Sequence, residues 1–230
     1  GSEMCIRDRC IGTISDIVPL VDENRVIAKL GLKLIEQTKN IGLRTLLNIA
    51  NFKKIDSNAI SFGVAPRINA CGRMGAQEEA LKLFLTEDKQ EALKIAKNLV
   101  KFNQERQNTE KQIFEDVIQE IEKNKDKEKK CIVLAKENWH HGIIGIVSSK
   151  VTEMYYKPSI LICLEGDMGK GSGRSVPGFD LYNALSKCNN YIEKFGGHSM
   201  AIGISIKKEN FEKLKAEIEK CAEESNIRDI

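Results

Sequence analysis

The sequence predicts an α/β fold, with a mainly helical first half followed by a mixed or parallel sheet covered by helices. Two observations lead to this prediction. After residue 130, short continuous apolar segments alternate with amphipathic segments, which is the pattern of strands packed against helices. Before that point, apolar residues recur at helical spacing, and residues 87–122 contain neither Gly nor Pro.

The amino-acid composition excludes several classes of protein. The chain has 230 residues, and 36 Lys and Arg against 33 Asp and Glu leave a formal net charge of +3. A charged fraction of 30% beside a hydrophobic fraction of 41% excludes a disordered chain. No run of ~18 apolar residues and no charged-then-apolar leader is present, so neither a membrane span nor secretion is expected. The seven cysteines are scattered and form no Cys-x-x-Cys pair, which predicts reduced thiols in a cytosolic protein.

The helical half is expected to begin after residues 1–10, which show no periodicity and are interpreted as a cloning or sequence-assembly scar outside the fold. Residues 12–20 then predict the end of an apolar strand that carries Asp16, followed by a Pro turn. Apolar spacing predicts helices over residues 24–38 and 42–50.

A long helix is predicted over residues 87–122, with Thr86 as its cap and Asp88 in its first turn, where acids complement the helix dipole. It would be ~54 Å long at 1.5 Å per residue. Its apolar residues lie near both ends, and residues 103–112 are all polar. This indicates a helix that docks on one domain, crosses solvent and docks on another. Two shorter helices with a break near Asn108 are the alternative.

The second half predicts alternating elements. The predicted strands are residues 131–135, 159–164 and 200–206, the predicted helices are residues 142–156, 181–191 and 211–222, and a Gly-rich loop is expected over residues 166–178.

Two motifs of the first half could carry chemistry. Asp16 at a strand end would suit a hard cation such as Mg²⁺ or Mn²⁺, although a cap is the commoner use of a lone Asp. In Pro66–Met74, Arg67 and Arg73 flank Asn69 in what is expected to be a loop. Guanidinium forks suit phosphate, and a structural loop whose arginines bind carboxylates or carbonyls is the alternative.

Three motifs of the second half also contain candidate ligands. His140 and His141 precede a helix whose N-terminus could hold an anion, although ordinary loop histidines are the alternative. In the glycine-rich segment, donors that could bind an anion are interspersed with glycines, and a flexible hairpin is the alternative. A Gly-Gly turn carries His198, which could donate to a phosphate oxygen or act as an acid or base. The donors of the glycine-rich segment are Lys170, Ser172, Arg174 and Ser175.

In this order and spacing, the five motifs resemble the RecJ-type single-stranded-DNA exonucleases of the DHH/DHHA1 phosphoesterase superfamily. GTISDIVPL with ENR is similar to the end of the catalytic DHH domain, and PRINACGRM to its closing loop. WHHGIIGIV, KGSGRSVPGFD and KFGGHSMAIG are similar to the DHHA1 domain. The resemblance implies four segments: the scar (1–10), the C-terminal part of a DHH catalytic lobe (11–85), a connecting helix and linker (86–130), and an α/β DHHA1 substrate-binding lobe with a mixed sheet (131–225).

The function that the resemblance implies is a bacterial, cytoplasmic 5′-to-3′ exonuclease of DNA repair and recombination. Such an enzyme uses two Mn²⁺ or Mg²⁺ ions to hydrolyse single-stranded DNA that bears a 5′-phosphate, and it releases mononucleotides. A single-strand-binding protein or a helicase is the implied partner of the complete protein, and no membrane is involved.

The resemblance also implies roles for single residues. Asp16 matches the last metal-ligating aspartate of the DHH lobe, and His198 and His140 match catalytic positions. The implied ligands of substrate phosphate are Arg67, Asn69, Arg73, Ser172, Arg174 and Ser175.

The chain departs from the family pattern, because no Asp-His-His triplet occurs in it. One carboxylate cannot hold two divalent ions, so we expect an inactive fragment. Two alternatives remain open: a DHH/DHHA1 oligoribonuclease or cyclic-dinucleotide phosphodiesterase, and a non-catalytic nucleic-acid-binding scaffold.

Overall fold

The computed structural model describes residues 2–225 and residue 227. The chain divides into two compact units, residues 1–106 and 107–230, and the boundary lies inside one long helix. The first unit is helical. Its α-helices are α1 (Ser2–Ser15), α2 (Asp22–Glu36), α3 (Ile41–Ala50), α4 (Ala65–Arg73), α5 (Gln77–Leu85) and the first half of α6 (Lys89–Asn124), with a π-helical segment at Ala59–Val64.

The first helix corrects two sequence-based expectations. Residues 1–10 were expected to lie outside the fold, and this is wrong for α1, in which Arg7 and Cys10 are buried. The apolar residues Cys10, Ile11 and Ile14 follow a helical spacing and join the core of this unit. Asp16 therefore lies in a turn after a helix instead of at a strand end, and its backbone N–H donates to the carbonyl of Gly12 at 3.0 Å.

The segment Pro66–Met74 is also a helix where a loop was expected. It forms α4 and follows the π-helical turn directly. Pro66 does not prevent this, because a proline near the first position of a helix loses no hydrogen bond. Ala70 and Cys71 are fully buried, so one side of α4 packs against the core.

Helix α6 confirms the long helix and is continuous across Asn108, so the alternative of two shorter helices is wrong. Its cap differs in detail, because Asp88 immediately precedes the helix and its carboxylate accepts the N–H of Gln90 at 2.8 Å. Buried apolar residues lie in both halves of the helix, at Ala92, Ala96 and Leu99 and at Ile113, Val117 and Ile121.

The second unit contains a five-stranded mixed sheet of strand order β1-β2-β3-β5-β4. Strands β1 and β2 are parallel, and the remaining pairs are antiparallel. The elements are β1 (Ile132–Glu137), α7 (Ile144–Tyr155), β2 (Ser159–Glu165), β3 (Met168–Arg174), α8 (Leu181–Lys187), β4 (Ile192–His198), β5 (Ala201–Lys207) and α9 (Phe211–Glu223), with 3₁₀ turns at Asp126–Glu128, Asn189–Tyr191 and Lys208–Asn210.

The two faces of this sheet have different neighbours. Helices α8 and α9 cover one face, where Ile162, Ile204 and Leu214 belong to one apolar core. Helix α7 packs on β2 and β3 from the other face, and the hydroxyls of Ser148 and Thr152 bond to Ser159 there. The mixed α/β architecture predicted from the sequence is confirmed. The three predicted strands match β1, β2 and β5 within one or two residues, whereas β3 and β4 were not predicted as strands.

The glycine-rich segment is a strand where a loop was expected. Gly169, Gly171 and Gly173 alternate along β3 and face the isoleucine core. A Cβ on Gly171 would lie 2.8 Å from side-chain atoms of both Ile162 and Ile204, closer than real contacts allow. The glycines therefore permit close packing of β3 against the core.

His198 was expected on a Gly-Gly turn, but it is the last residue of strand β4. The turn to β5 consists of Ser199 and Met200.

In the part of the chain that the structure describes, no helix is both long enough and apolar enough to cross a membrane. All seven cysteines are free thiols.

We expect Gly171→Ala to lower the free energy of unfolding by roughly 1–3 kcal/mol, because the added methyl overpacks the core. Gly196→Ala is the matched control, since no atom lies within 4 Å of a Cβ built on Gly196. That control should leave stability unchanged or raise it slightly by restricting the unfolded chain. Urea unfolding measures both, and equal losses for the two variants would contradict the packing argument.

Candidate phosphate-binding site

Arg174 lies at the end of β3, and its guanidinium is half-buried. Its Nη1 donates to Ser172 Oγ at 3.1 Å and to the carbonyl of Gly173 at 2.8 Å. Burial lowers the pKa of Arg174. Among the described residues no carboxylate forms an ion pair with it. The site thus holds a positive charge that the unit itself does not neutralise, which favours an anionic ligand.

The first turn of α7 lies beside this guanidinium. A Cβ built on Gly145 would be 3.0 Å from Ser172 Oγ and 3.4 Å from Arg174 Nη2, so only glycine allows this approach without displacement. The N–H groups of Ile143 and Ile144 both donate to the carbonyl of His140. The N–H of Gly145 has no acceptor within the described residues. A free amide at a helix N-terminus is a favourable donor to an anion.

The segment that leads into α7 is fixed by the long helix. Trp139 Nε1 donates to Asp116 Oδ2 at 2.7 Å, and Lys136 Nζ lies 2.6 Å from Asp116 Oδ1 and 3.0 Å from Glu120. Burial alone would raise the pKa of Asp116, but hydrogen bonds from Lys136 and Trp139 and the charge of Lys136 outweigh it and lower the pKa. The carbonyl of Trp139 also accepts from Cys163 Sγ. The start of α7 is therefore held on both sides.

The two adjacent histidines differ in their surroundings. His140 Nδ1 accepts the N–H of Gly142 at 3.1 Å, so the neutral ring carries its proton on Nε2. Burial, and then the neighbouring His141, lowers the pKa of His140 and keeps the ring neutral. His141 is exposed, and its Nδ1 lies 3.3 Å from Glu165. The two rings stack with centroids 5.3 Å apart.

His198 shares a row of the sheet with Arg174. Both residues pair directly with Ala201 of β5, one from β4 and one from β3. Paired residues project from the same face, so the two side chains lie on one face, about 9–10 Å apart at two strand spacings. His198 is exposed, and its Nδ1 accepts the N–H of Met200 at 3.2 Å. Its Nε2 is thus the ring nitrogen that can face a ligand.

Ser175 does not join this group, and its assignment to phosphate is corrected. Its side chain is buried, and its hydroxyl donates to the carbonyl of Phe179 at 2.7 Å. Strand alternation also places Ser175 opposite Arg174. Ser175 therefore closes the turn after β3.

The other predicted residues belong to the first unit. Asn69 and Arg73 are one turn apart on the same side of α4, and Asn69 is exposed. Arg67 points elsewhere: its Nη1 donates to the carbonyl of Gly63, its Nε is buried without a hydrogen bond, and burial lowers its pKa. Asp16 is exposed in its turn. The phosphate and metal roles of these residues stay predictions.

The described residues do not fit a two-ion centre. They contain no group of three or more His, Cys, Asp or Glu side chains that could hold a metal ion. Asp16 is one oxygen donor, and hard divalent cations need about six.

Sequence reasoning missed Gly145 and Asp116 as neighbours of the predicted residues. It also missed Lys194 of β4, which lies in the same row of the sheet as the predicted Lys170. A glycine in the first turn of a predicted helix was the available signal for Gly145. Asp116 and Lys194 gave no signal, because their roles depend on long-range packing and on strand register.

Residues 128–224 match the DHHA1 domain family. The chain is 36% identical over 217 residues to the single-stranded-DNA-specific exonuclease RecJ of Bacillus subtilis, covering 93% of this chain and 28% of that protein. It is 34% identical over 214 residues to the corresponding protein of Thermus thermophilus, covering 92% of this chain and 30% of that one. The chain thus spans about three-tenths of these two relatives.

Solved structures agree with these similarities. A crystal structure of Thermus thermophilus RecJ in complex with Mg²⁺ superposes with a TM-score of 0.88 at 32% identity, covering 95% of this chain and 34% of that one. A crystal structure of exonuclease RecJ bound to manganese gives a TM-score of 0.83 at 33% identity, covering 93% and 53%.

Asp116→Ala should redden the emission of Trp139, the one tryptophan of the chain, because it leaves a buried indole N–H without its acceptor. The lost hydrogen bond should cost about 1–3 kcal/mol of stability. Glu120→Ala is the control, since it also removes a carboxylate from Lys136 but does not touch Trp139. Identical emission for the two variants would contradict this anchoring.

The lowered pKa of Asp116 determines how its contribution to folding stability depends on pH. A carboxylate whose folded pKa is lowered contributes stability above its unfolded pKa of ~3.9 and loses it as the pH falls through the folded value. The stability difference between wild type and Asp116→Asn should therefore be constant at neutral pH and shrink only below about pH 4.

Proposed function

We propose that this chain, which contains a DHHA1 domain and is similar over most of its length to RecJ exonucleases, recognises the 5′-terminal phosphate of single-stranded DNA for a 5′-to-3′ exonuclease. The observation that carries the proposal is the half-buried guanidinium of Arg174, which forms no ion pair among the described residues and lies beside Ser172 and the first turn of α7 at Gly145.

The donor set suits a terminal phosphate better than an internal one. A guanidinium fork, a hydroxyl and a backbone amide can converge on one anion from three directions. A phosphate monoester presents three free oxygens and a charge of about −1.5 to −2, whereas an internal phosphodiester presents two free oxygens and a single charge. Terminal binding would also fix strand polarity, since only one end of the DNA carries this group.

His198 extends this proposal to the reacting end of the strand. Its exposed ring lies on the same face as Arg174, two strands away. Its Nε2 could donate to a phosphate oxygen or act as an acid or base in the reaction. His140, whose Nε2–H points away from its own loop hydrogen bond, is the second candidate donor.

Hydrolysis itself is not assigned to this chain. We propose that the exonuclease reaction uses Mn²⁺ or Mg²⁺, as the similar solved proteins bind these ions. The described residues supply substrate recognition without a metal-binding cluster. We therefore propose that the 230-residue chain binds DNA and does not cleave it by itself.

The biological setting follows from the same proposal. We place the activity in DNA repair and recombination in a bacterial cytoplasm, with a single-strand-binding protein or a helicase as partner. A cyclic dinucleotide has no terminal phosphate, so the proposed pocket does not favour a cyclic-dinucleotide phosphodiesterase. An oligoribonuclease and a non-catalytic scaffold are distinguished by the experiments below.

Arg174→Ala should remove the preference of the chain for 5′-phosphorylated over 5′-hydroxyl single-stranded DNA, a loss of roughly 10–100-fold in affinity for the phosphorylated strand. Arg174→Lys keeps the charge but lacks the fork, so it should restore only part of the preference. Fluorescence anisotropy with matched DNA and RNA strands measures this. An unchanged preference in Arg174→Ala would remove Arg174 from the pocket, and tighter RNA binding would favour the oligoribonuclease.

The purified chain should release no nucleotides from 5′-phosphorylated single-stranded DNA when Mn²⁺ is added, because one carboxylate cannot assemble a two-ion site. Radiolabelled mononucleotides resolved by chromatography measure release, with a manganese-dependent exonuclease as positive control. Manganese-dependent release by the chain alone would contradict the assignment of recognition without hydrolysis.

A further inference from the structure

A second set of basic side chains lies on the same face of the sheet as Arg174. We propose that Lys170, Lys194 and Ser205 form a lysine subsite that binds an internal phosphodiester of the same DNA strand. The inference rests on the proposed function and deepens it, because it adds a second contact to the strand whose terminus Arg174 holds.

The strand register places these residues together. Lys170 of β3 pairs with Ser205 of β5, and Ser205 pairs with Lys194 of β4. Directly paired side chains project from one face, so the hydroxyl lies between the two lysines. Lys170 and Arg174 are four residues apart on β3, which sets the lysine row ~13 Å along the strand from the terminal site.

Glycines form the floor between the two sites. Ser172 pairs with Gly203, which pairs with Gly196, and both glycines are exposed. A Cβ on Gly196 would meet no atom within 4 Å. The result is a shallow pocket of about 430 Å³ whose lining includes Lys170, Lys194, Gly196, Gly203 and Ser205. A strand of nucleic acid can therefore approach the sheet backbone closely here.

The lysines of this subsite are not ion-paired. Among the described residues neither Lys170 nor Lys194 forms an ion pair, and no carboxylate lines the pocket. Glu165 feels the charge of Lys170 but bonds to His141, and Glu193 pairs with Lys207 at 3.9 Å. Two free ammonium groups on either side of a hydroxyl form a surface that attracts a phosphate.

The chemistry selects an internal phosphodiester. Lysines bind phosphate as flexible point charges and lack the fork that reads a terminal group. Phe195 is the aromatic residue that lines this pocket, and its side chain packs against the apolar core and contacts Tyr182, so it is not placed to stack on a base. The lysine subsite would therefore hold the DNA backbone without reading its bases. The separation of ~13 Å means that only a ligand longer than a mononucleotide reaches both sites.

The experiment compares the double variant Lys170→Ala/Lys194→Ala with wild type. The matched control is Lys213→Ala/Lys220→Ala on α9, which removes the same charge from exposed positions elsewhere in this unit. The probes are thymidine 5′-monophosphate, 5′-phosphorylated octathymidylate and its 5′-hydroxyl form. Binding is measured by calorimetry over a range of salt concentrations, and thermal melting verifies folding.

The double variant should bind the octanucleotide roughly tenfold more weakly and thymidine 5′-monophosphate as well as wild type does. The slope of log affinity against log salt should fall by about 0.7 for each phosphate that the variant no longer neutralises. The control variant should change neither. The weaker binding should persist with the 5′-hydroxyl octanucleotide, to which Arg174→Ala makes no difference, so a failure of the terminal pocket and a failure of the lysine subsite give different results.

Three outcomes would overturn the inference. Equally weak binding by the control variant would show that the loss of affinity comes from the lower net charge and not from a specific site. Equally weakened binding of the mononucleotide would place the lysines at the terminal site. Unchanged octanucleotide affinity and salt slope would show that no phosphate binds there.

Discussion

The close contact between the first turn of α7 and the end of β3 is the constraint on which the site depends. Gly145 has no side chain, so Ser172 and Arg174 can lie close to the helix at this residue. Asp116 and Trp139 fix the segment that begins this helix. A donor set is useful only when its members are held in place before the ligand arrives, and here both the helix and the strand are anchored in a packed unit.

The sequence was informative where one local rule decided the structure. The absence of Gly and Pro from residues 87–122 predicted the continuous helix α6, and buried apolar runs predicted β2 and β5 within one or two residues. The predicted loop over residues 166–178 was wrong, because glycine is a frequent loop residue and the sequence does not reveal which isoleucines will face it. Residues 1–10 were misjudged because a short helix owes its stability to packing against its neighbours.

The sequence predicted the residue types of the candidate site but not their arrangement in space. Arg174 and Ser172 were identified from their density of donors beside glycine, and the structure brings them together. Ser175, the next residue, has the same chemistry but the opposite orientation, which only the strand phase reveals. The row that joins His198 to Arg174 depends on the register of three strands, and no local pattern encodes it.

The two faces of strand β3 carry different residue types. Its glycines face the core, and its lysine, serine and arginine lie on the other face. A slip of one residue would push Lys170 and Arg174 into the isoleucine core and leave the glycines facing water. The residues that could bind DNA therefore also destabilise incorrect strand registers. The same seven residues of β3 thus determine both ligand binding and correct strand pairing. A substitution in β3 that changes ligand binding is therefore expected to affect strand register as well.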